Sequence, residues 1–347
     1  MIISLLEKEI PFIDVRAPVE FEQGALPSSK NLPILTNVER EQVGKVYKSS
    51  GGNAATDLGF SLVNDETKYE RVESWIKFIS KNPNTHLYCA RGGKRSEIAV
   101  KWLKEKGVNI PRISGGFKAI RNCCIEILNQ ASVDTKDWTI IAGKTGSNKT
   151  GLISSVKNAI DLEGLANHRG SAFGGHLTPQ PTPINFENSL AIKYLQISTQ
   201  RIFFEDESRT IGKLVIPENI YKRMTNSKIA LVDESIEFRI NQIYQEYVEN
   251  AMINETELEL YNKLNTQLSK ISKRLGSKNF NAIGELMKKA FISKSKNAHF
   301  QWIEQLLVNY YDKMYEYQMS KKLDRCIFSG SWNEVKSFMI QNKDNHL

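Results

Sequence analysis

Cys89 lies in Thr85-His-Leu-Tyr-Cys-Ala-Arg-Gly-Gly-Lys-Arg-Ser96, where a short apolar run delivers one thiol into a loop holding two glycines and three cations. Gly92 and Gly93 let backbone N–H groups turn inward, and a helix expected from about Ser96 adds positive potential at its first turn. Arg91, Lys94 and Arg95 add formal charge. Each of these favours a thiolate, the nucleophilic form of sulfur. A structural cysteine would be ringed by apolar side chains instead.

A second loop, Gly143-Lys-Thr-Gly-Ser-Asn-Lys-Thr150, follows an apolar strand and precedes a helix, as a Walker-type phosphate loop does. Backbone at Gly143, Lys144, Thr145 and Gly146 would cradle phosphate oxygens, Lys149 would reach them, and Thr150 could touch a bound magnesium ion. Asn148 stands where such loops carry glycine. Asparagine enters the left-handed region more readily than most residues, so the turn can survive. The plain alternative is a Gly-rich strand-to-helix turn.

Two further segments, 161–174 and 205–212, hold more chemistry than a connecting loop requires. His168, Arg169 and Arg209 are available to grip phosphates or orient a leaving group. Asp206 is placed to assist a metal. The bland readings are a satisfied structural histidine and a solvated acidic strand end. No dedicated metal site is expected, and the four cysteines, Cys89, Cys123, Cys124 and Cys326, lack zinc spacing.

The elements that must position these loops alternate. Apolar runs at 11–15, 85–88 and 109–113 interleave with helical stretches at 69–79 and 96–106, the order of an α/β fold with a parallel sheet. A break near 129–137 precedes a new strand at 138–142, and strands are expected at 159–162, 201–205 and 229–232. Beyond about Ser235 the chain reads as helical throughout. Phe300, Ile303, Leu307, Tyr310 and Met314, at three- and four-residue steps, read there as core. The division expected is 1–130, 131–235 and 236–347.

The 347 residues, 40% apolar and 25% charged, suffice for two or three cores. No run approaches the ~20 apolar residues of a membrane span, and the first residues lack a basic leader, so a cytosolic protein with reduced thiols is expected. The formal charge of +8 is concentrated. Residues 263–296 contain nine Lys/Arg against the single acid Glu285, including Lys270, Lys273, Arg274, Lys288 and Lys289. Such a block is usually a solvated face, but its surplus suits a polyanion.

The Cys89 loop, with Asp14-Val-Arg16, Glu20-Phe21, Gly24-Ala-Leu26, Asn31-Leu-Pro33 and Ser114-Gly-Gly-Phe117, resembles the rhodanese superfamily over about residues 1–125. Five residues separate Cys89 from Arg95, one more than in common rhodaneses and the spacing of related dual-specificity phosphatases. A rhodanese-like loop, a P-loop-like turn, then DLEGLANHRGS and EDESRTIG resembles, to about residue 225, the bacterial tRNA 2-selenouridine synthase family. That resemblance implies a rhodanese-like domain, a P-loop NTPase-like domain and a transferase acting on the tRNA wobble 2-thiouridine. Geranyl diphosphate would alkylate the sulfur in the second domain. Selenophosphate would then replace geranylthiol, with Cys89 as carrier or nucleophile and Arg91 and Arg95 as its anion cradle. The anticodon arm would sit on the Lys-rich helices, and selenophosphate synthase is a candidate partner. Three rival readings stand beside this one. They are a rhodanese-type sulfurtransferase with a nucleotide-binding domain, a phosphatase, and a tRNA-binding module without activity.

Overall fold

A computed structural model describes residues 1–170, 173 and 178–341. By internal packing the chain forms two units, Met1–Val133 with Pro181–Gln196, and Asp134–Gln180 with Ile197–Leu347.

The first unit is built on a parallel three-stranded sheet of order β2-β1-β3, with β1 Phe12–Asp14, β2 Ser29–Asn31 and β3 His86–Tyr88. Ile13, Val15, Trp75, Leu87, Trp102 and Leu103 form its core, and each such buried side chain contributes about 1.5–3 kcal/mol. The stretch 109–113, expected as a strand, makes a single bridge, Arg112 to Leu87. Pro111 has no N–H for a ladder. Helix Asp65–Lys81 starts earlier than expected because the Asn64 side chain accepts from the Thr67 N–H and caps it.

One helix is invisible to periodicity. Asn37–Leu62 has no apolar stripe, buries only Ala55 of its 26 residues, and kinks at Gly51, where φ is 84°. The expected segment 131–235 also loses a piece to the first unit. Helix Pro183–Gln196 belongs there because Asn185 accepts from the Ala25 N–H at 2.7 Å, while Asn188 donates to the Ala25 carbonyl at 3.0 Å and accepts from Arg121 at 2.9 Å.

The second unit has a five-stranded parallel sheet of order β10-β9-β4-β6-β5. Its strands are β4 Asp137–Gly143, β5 Ala159–Ile160, β6 Arg201–Glu205, β9 Lys228–Val232 and β10 Cys326–Gly330. A small antiparallel pair, β7 Thr210–Ile211 and β8 Leu214–Val215, stands apart from it. β5 ends two residues early because Asp161 caps the next helix, accepting from the Gly164 N–H at 2.7 Å. The C-terminal stretch is not helical throughout. It returns as the edge strand β10, so the helices beyond 236 belong to the same unit as the sheet. Their core includes Ile303, Leu307 and Tyr310, with Phe300 and Met314 packed against it, as the stripe implied. Among the described residues no helix is long and apolar enough to cross a membrane.

Candidate active site: two loops with different chemistry

β3 ends at Tyr88 and helix Lys94–Glu105 starts soon after it, so the intervening turn aims backbone N–H groups around Cys89. The turn is held from below. A Cβ at Gly116 would lie 2.2 Å from the Cys89 carbonyl oxygen, and one at Gly92 would lie 2.7 Å from the Gly115 nitrogen. Both glycines have positive φ, 59° and 67°, which side chains rarely adopt. The Phe117 N–H donates to the Cys89 carbonyl at 2.8 Å, so Ser114-Gly-Gly-Phe117 is the bed of the loop. Arg16 joins the two ends of the rhodanese-like pattern. It donates to Asp14 at 2.6 Å and to the Gly24 carbonyl at 2.7 Å, and lies 3.9 Å over the Phe117 ring.

Cys89 is 3% exposed, and its Sγ lies 3.2 Å from Ser96 Oγ. Burial pushes the thiol up, but hydrogen bonds from the Ser96 side chain and from the N–H groups of Ser96 and Arg91, with the charge of Arg95, hold it below the ordinary thiol value. Arg95 is not a bare cation. Its guanidinium donates to Glu20 at 2.5 and 3.0 Å, which fixes its direction and tempers its field. Arg91 and Lys94 stand at the loop, both exposed. Ser96, the last residue of the loop's motif in the sequence, stands in the first turn of the helix and beside the thiol.

β4 is central in its sheet, with β9 on one side and β6 on the other, so the loop after it opens at the carboxyl edge where ligands bind in such folds. Asn148 has φ 57° and ψ 42°, the left-handed conformation its side chain can bear, and it caps the next helix by accepting from the Gly151 N–H. Lys149 Nζ donates to the Gly143 carbonyl at 2.7 Å. The C-terminal helices brace the loop, since Arg239 donates to the Thr145 carbonyl at 2.8 Å and to Asp312 at 2.5 and 3.0 Å. Lys144 faces outward to Glu316. An apolar cleft of about 30 Å³ opens from Thr145 between Phe173, Tyr247, Trp302 and Leu306. Two π-helical turns, Gln245–Glu249 and Leu307–Tyr311, flank it, a distortion common at functional sites.

The acid beside this loop is Glu205, not Asp206. Thr150 Oγ1 donates to Glu205 at 2.9 Å and to Glu163 at 3.1 Å, whereas Asp206 is turned away and accepts from Lys322 at 2.7 Å. Side chains alternate along a strand, so a shift of one residue selects the opposite face. Glu163, Glu205 and Glu207 bring one carboxylate oxygen each within 4.8 Å of one another, a cation-type cluster that sequence spacing did not reveal. Burial, then the neighbouring carboxylates, pushes Glu205 up to about 8 and Glu207 up to about 9. His168 stands nearby in sequence, its Nδ1 buried without a hydrogen bond among the described residues. Arg169 pairs at 2.7 Å with Glu246, a carboxyl close enough to feel Glu163 and Lys149, whereas Arg209 pairs with Glu218 at 2.5 Å and is not shown at the loop. Ser171, Ala172 and Gly174, within the expected segment 161–174, lie outside the described residues.

The crowded carboxylates have a measurable consequence. An unfolded Glu207 ionises near 4.5, so between that pH and about 9 the folded chain holds a proton that the unfolded chain has released, and stability falls as pH rises across this window. Glu207→Gln keeps a donor toward Glu163 and removes the penalty. It should raise the melting temperature of the unliganded protein at pH 8 by at least about 2 °C, with no gain at pH 4. Thermal melts at both values check this, and a lower melting point at pH 8 would contradict the strained cluster.

The comparisons with known proteins agree with both loops. A model of the rhodanese-like domain matches residues 3–123, and a model of the tRNA 2-selenouridine synthase AAA domain matches residues 136–346. A tRNA 2-selenouridine synthase of Shewanella halifaxensis is 42% identical over 97% of this chain and 95% of that protein. Its counterpart in Photobacterium profundum is 42% identical over 97% and 96%, and that of Hydrogenovibrio crunogenus is 42% identical over 96% of both chains. With one chain carrying a stabilised thiolate loop, a phosphate-type loop and this similarity along nearly its whole length, the protein belongs to the tRNA 2-selenouridine synthase family.

Proposed function

We propose that the chain converts wobble 2-thiouridine of tRNA to 2-selenouridine in two stages, one at each loop. The observation that carries the reading is the presence, on one chain, of a nucleophile stabilised as an anion at Cys89 and of a separate phosphate-type loop at 143–150. In the first stage the thiocarbonyl sulfur attacks C1 of geranyl diphosphate. A C–S bond forms, the C–O bond breaks, and diphosphate leaves with the electron pair. Backbone N–H groups at 143–146 and Lys149 hold that diphosphate. The chain points into the cleft at Thr145, where Phe173 and Trp302 must part to admit it. The carboxylate trio and Thr150 suit Mg²⁺, an oxygen-seeking ion that would neutralise charge on the leaving group.

In the second stage the Cys89 thiolate adds to C2 of the base, and geranylthiolate departs with the C–S electron pair and takes up a proton. Selenium of selenophosphate then displaces Cys89, and hydrolysis of the P–Se bond releases phosphate. No atom changes oxidation state. Carriage of a neutral selenium atom on Cys89 would instead leave phosphorus reduced, so the nucleophile role balances where the carrier role does not. Supply by a selenophosphate synthase, in the cytoplasm, belongs to the same reading.

The test is nucleoside mass spectrometry on an anticodon stem-loop carrying 2-thiouridine, incubated with geranyl diphosphate and then selenophosphate. Geranylated and then selenated uridine should appear in that order. Activity with thiosulfate alone would favour the rhodanese-type sulfurtransferase instead. The RNA would be held by Lys270, Lys273, Arg274, Lys288 and Lys289, all exposed and none in an ion pair among the described residues. Replacing Lys273, Arg274, Lys288 and Lys289 by Gln should leave stability within about 0.5 kcal/mol. The slope of log affinity against log salt should flatten by about 0.7–0.9 for each phosphate that the protein no longer neutralises. An unchanged slope would place tRNA elsewhere.

A further inference from the structure

The first unit contains a cavity of about 360 Å³ under the kinked helix Asn37–Leu62, closed on its other side by helix Lys94–Glu105. Its walls are apolar, with Ile34, Val43, Ala55, Phe60 and Trp102 prominent, and its polar edge is Lys94 and Arg95, which begin the helix after the Cys89 loop. Cys89 belongs to the same packed cluster as Ile34, Leu35, Val63 and Trp102, which line the cavity, and the charge of Arg95 at the cavity's edge acts on the thiol.

The space is half open to solvent, yet close-packed side chains would have filled it had packing been its only purpose. The covering helix does not serve stability in the usual way, for it buries only Ala55, and Gly44 and Gly51 in it face open space. It is anchored at one end, where Thr36 and Glu39 form a capping box and Arg71 clamps Glu39 at 2.8 Å. An apolar space beside a nucleophile, roofed by a loosely held element, has the character of a ligand pocket.

We infer that this cavity receives the geranyl chain of the alkylated wobble base while Cys89 attacks its C2, an assignment that rests on the two-stage chemistry. Selenophosphate and the RNA backbone are polar and gain nothing from such walls. The alkylated base alone carries a long apolar group attached one sulfur away from the carbon that Cys89 must reach. Ten carbons, each taking roughly the 30 Å³ of a water molecule, occupy on the order of 300 Å³, which the space is large enough to take. The pocket makes Cys89 selective. Unalkylated 2-thiouridine lacks the anchor, so only base that has passed the first stage is held for the second.

The experiment uses the full chain, selenophosphate and two synthetic anticodon stem-loops, one with S-geranyl-2-thiouridine and one with S-methyl-2-thiouridine, in single turnover. Both leaving groups are alkylthiolates, so a difference in rate reports the pocket. The native protein should convert the geranyl substrate about 10-fold or more faster. Ala55→Phe and Val43→Trp fill the cavity and should bring that ratio toward one with the methyl rate retained. Phe60→Ser weakens a wall without adding bulk, which guards against a misfolded filling variant, and should lower the geranyl rate alone. Equal effects on both substrates in all three variants, or a ratio near one in the native protein, overturn the pocket and leave the two-stage reading standing. Failure of the native protein to convert the geranyl substrate at all overturns both.

Discussion

Cys89→Ser stops selenium incorporation while geranylated RNA continues to form and accumulates. A serine hydroxyl in the same place stays protonated, because the hydrogen bonds from Ser96 and from the N–H of Arg91 that hold a thiol below its ordinary value cannot bring an alcohol into range. Loss of the nucleophile in a covalent mechanism costs on the order of 10³-fold or more. The first stage depends on residues of the other unit and should proceed at the native rate. Mass spectrometry of the nucleosides reads both products at once. In the native protein the selenation rate should remain level to lower pH than an unsupported thiol at this place would allow, then fall as the thiolate is protonated. Normal 2-selenouridine from the Ser variant would remove Cys89 from the chemistry.

Much of this site was legible because both loops are local. Cys89 with its glycines and Gly143 to Thr150 with its lysine are contiguous, and the strand before and helix after each were marked by apolar runs and turn residues. Even Asn148 was readable, since its left-handed conformation follows from its side chain. What stayed hidden depends on long-range packing. Glu163, Glu205 and Glu207 meet only because the loop after β5 folds back beside β6, and Asp206 was preferred to Glu205 because sequence does not fix which face of a strand looks at the loop. β10 escaped because it pairs with β9 across almost a hundred intervening residues. Helix Asn37–Leu62 escaped for the opposite reason. It buries so little that no periodicity marks it, and the cavity it covers has no sequence signal at all.

Lys149→Ala blocks the first stage and spares the second. In the unliganded chain Lys149 Nζ donates to the Gly143 carbonyl at 2.7 Å, so its charge rests on the loop's own backbone and is positioned to pass to a phosphate oxygen. Losing a charged hydrogen bond to a diphosphate costs about 1.5–3 kcal/mol, or ~10–150-fold in affinity. Geranyl transfer at subsaturating geranyl diphosphate should fall by that factor. Selenation of RNA that is already geranylated should keep its native rate, because Cys89 and its supports lie in the other unit. The second substrate separates chemistry from folding. A variant in which the 143–150 loop no longer held its shape would melt earlier. One missing only the ammonium that grips the ligand should keep its melting temperature and lose the thermal shift that geranyl diphosphate gives the native protein. Equal loss of both stages would assign Lys149 a structural role, and an unchanged affinity for geranyl diphosphate would show that the diphosphate binds somewhere other than this loop.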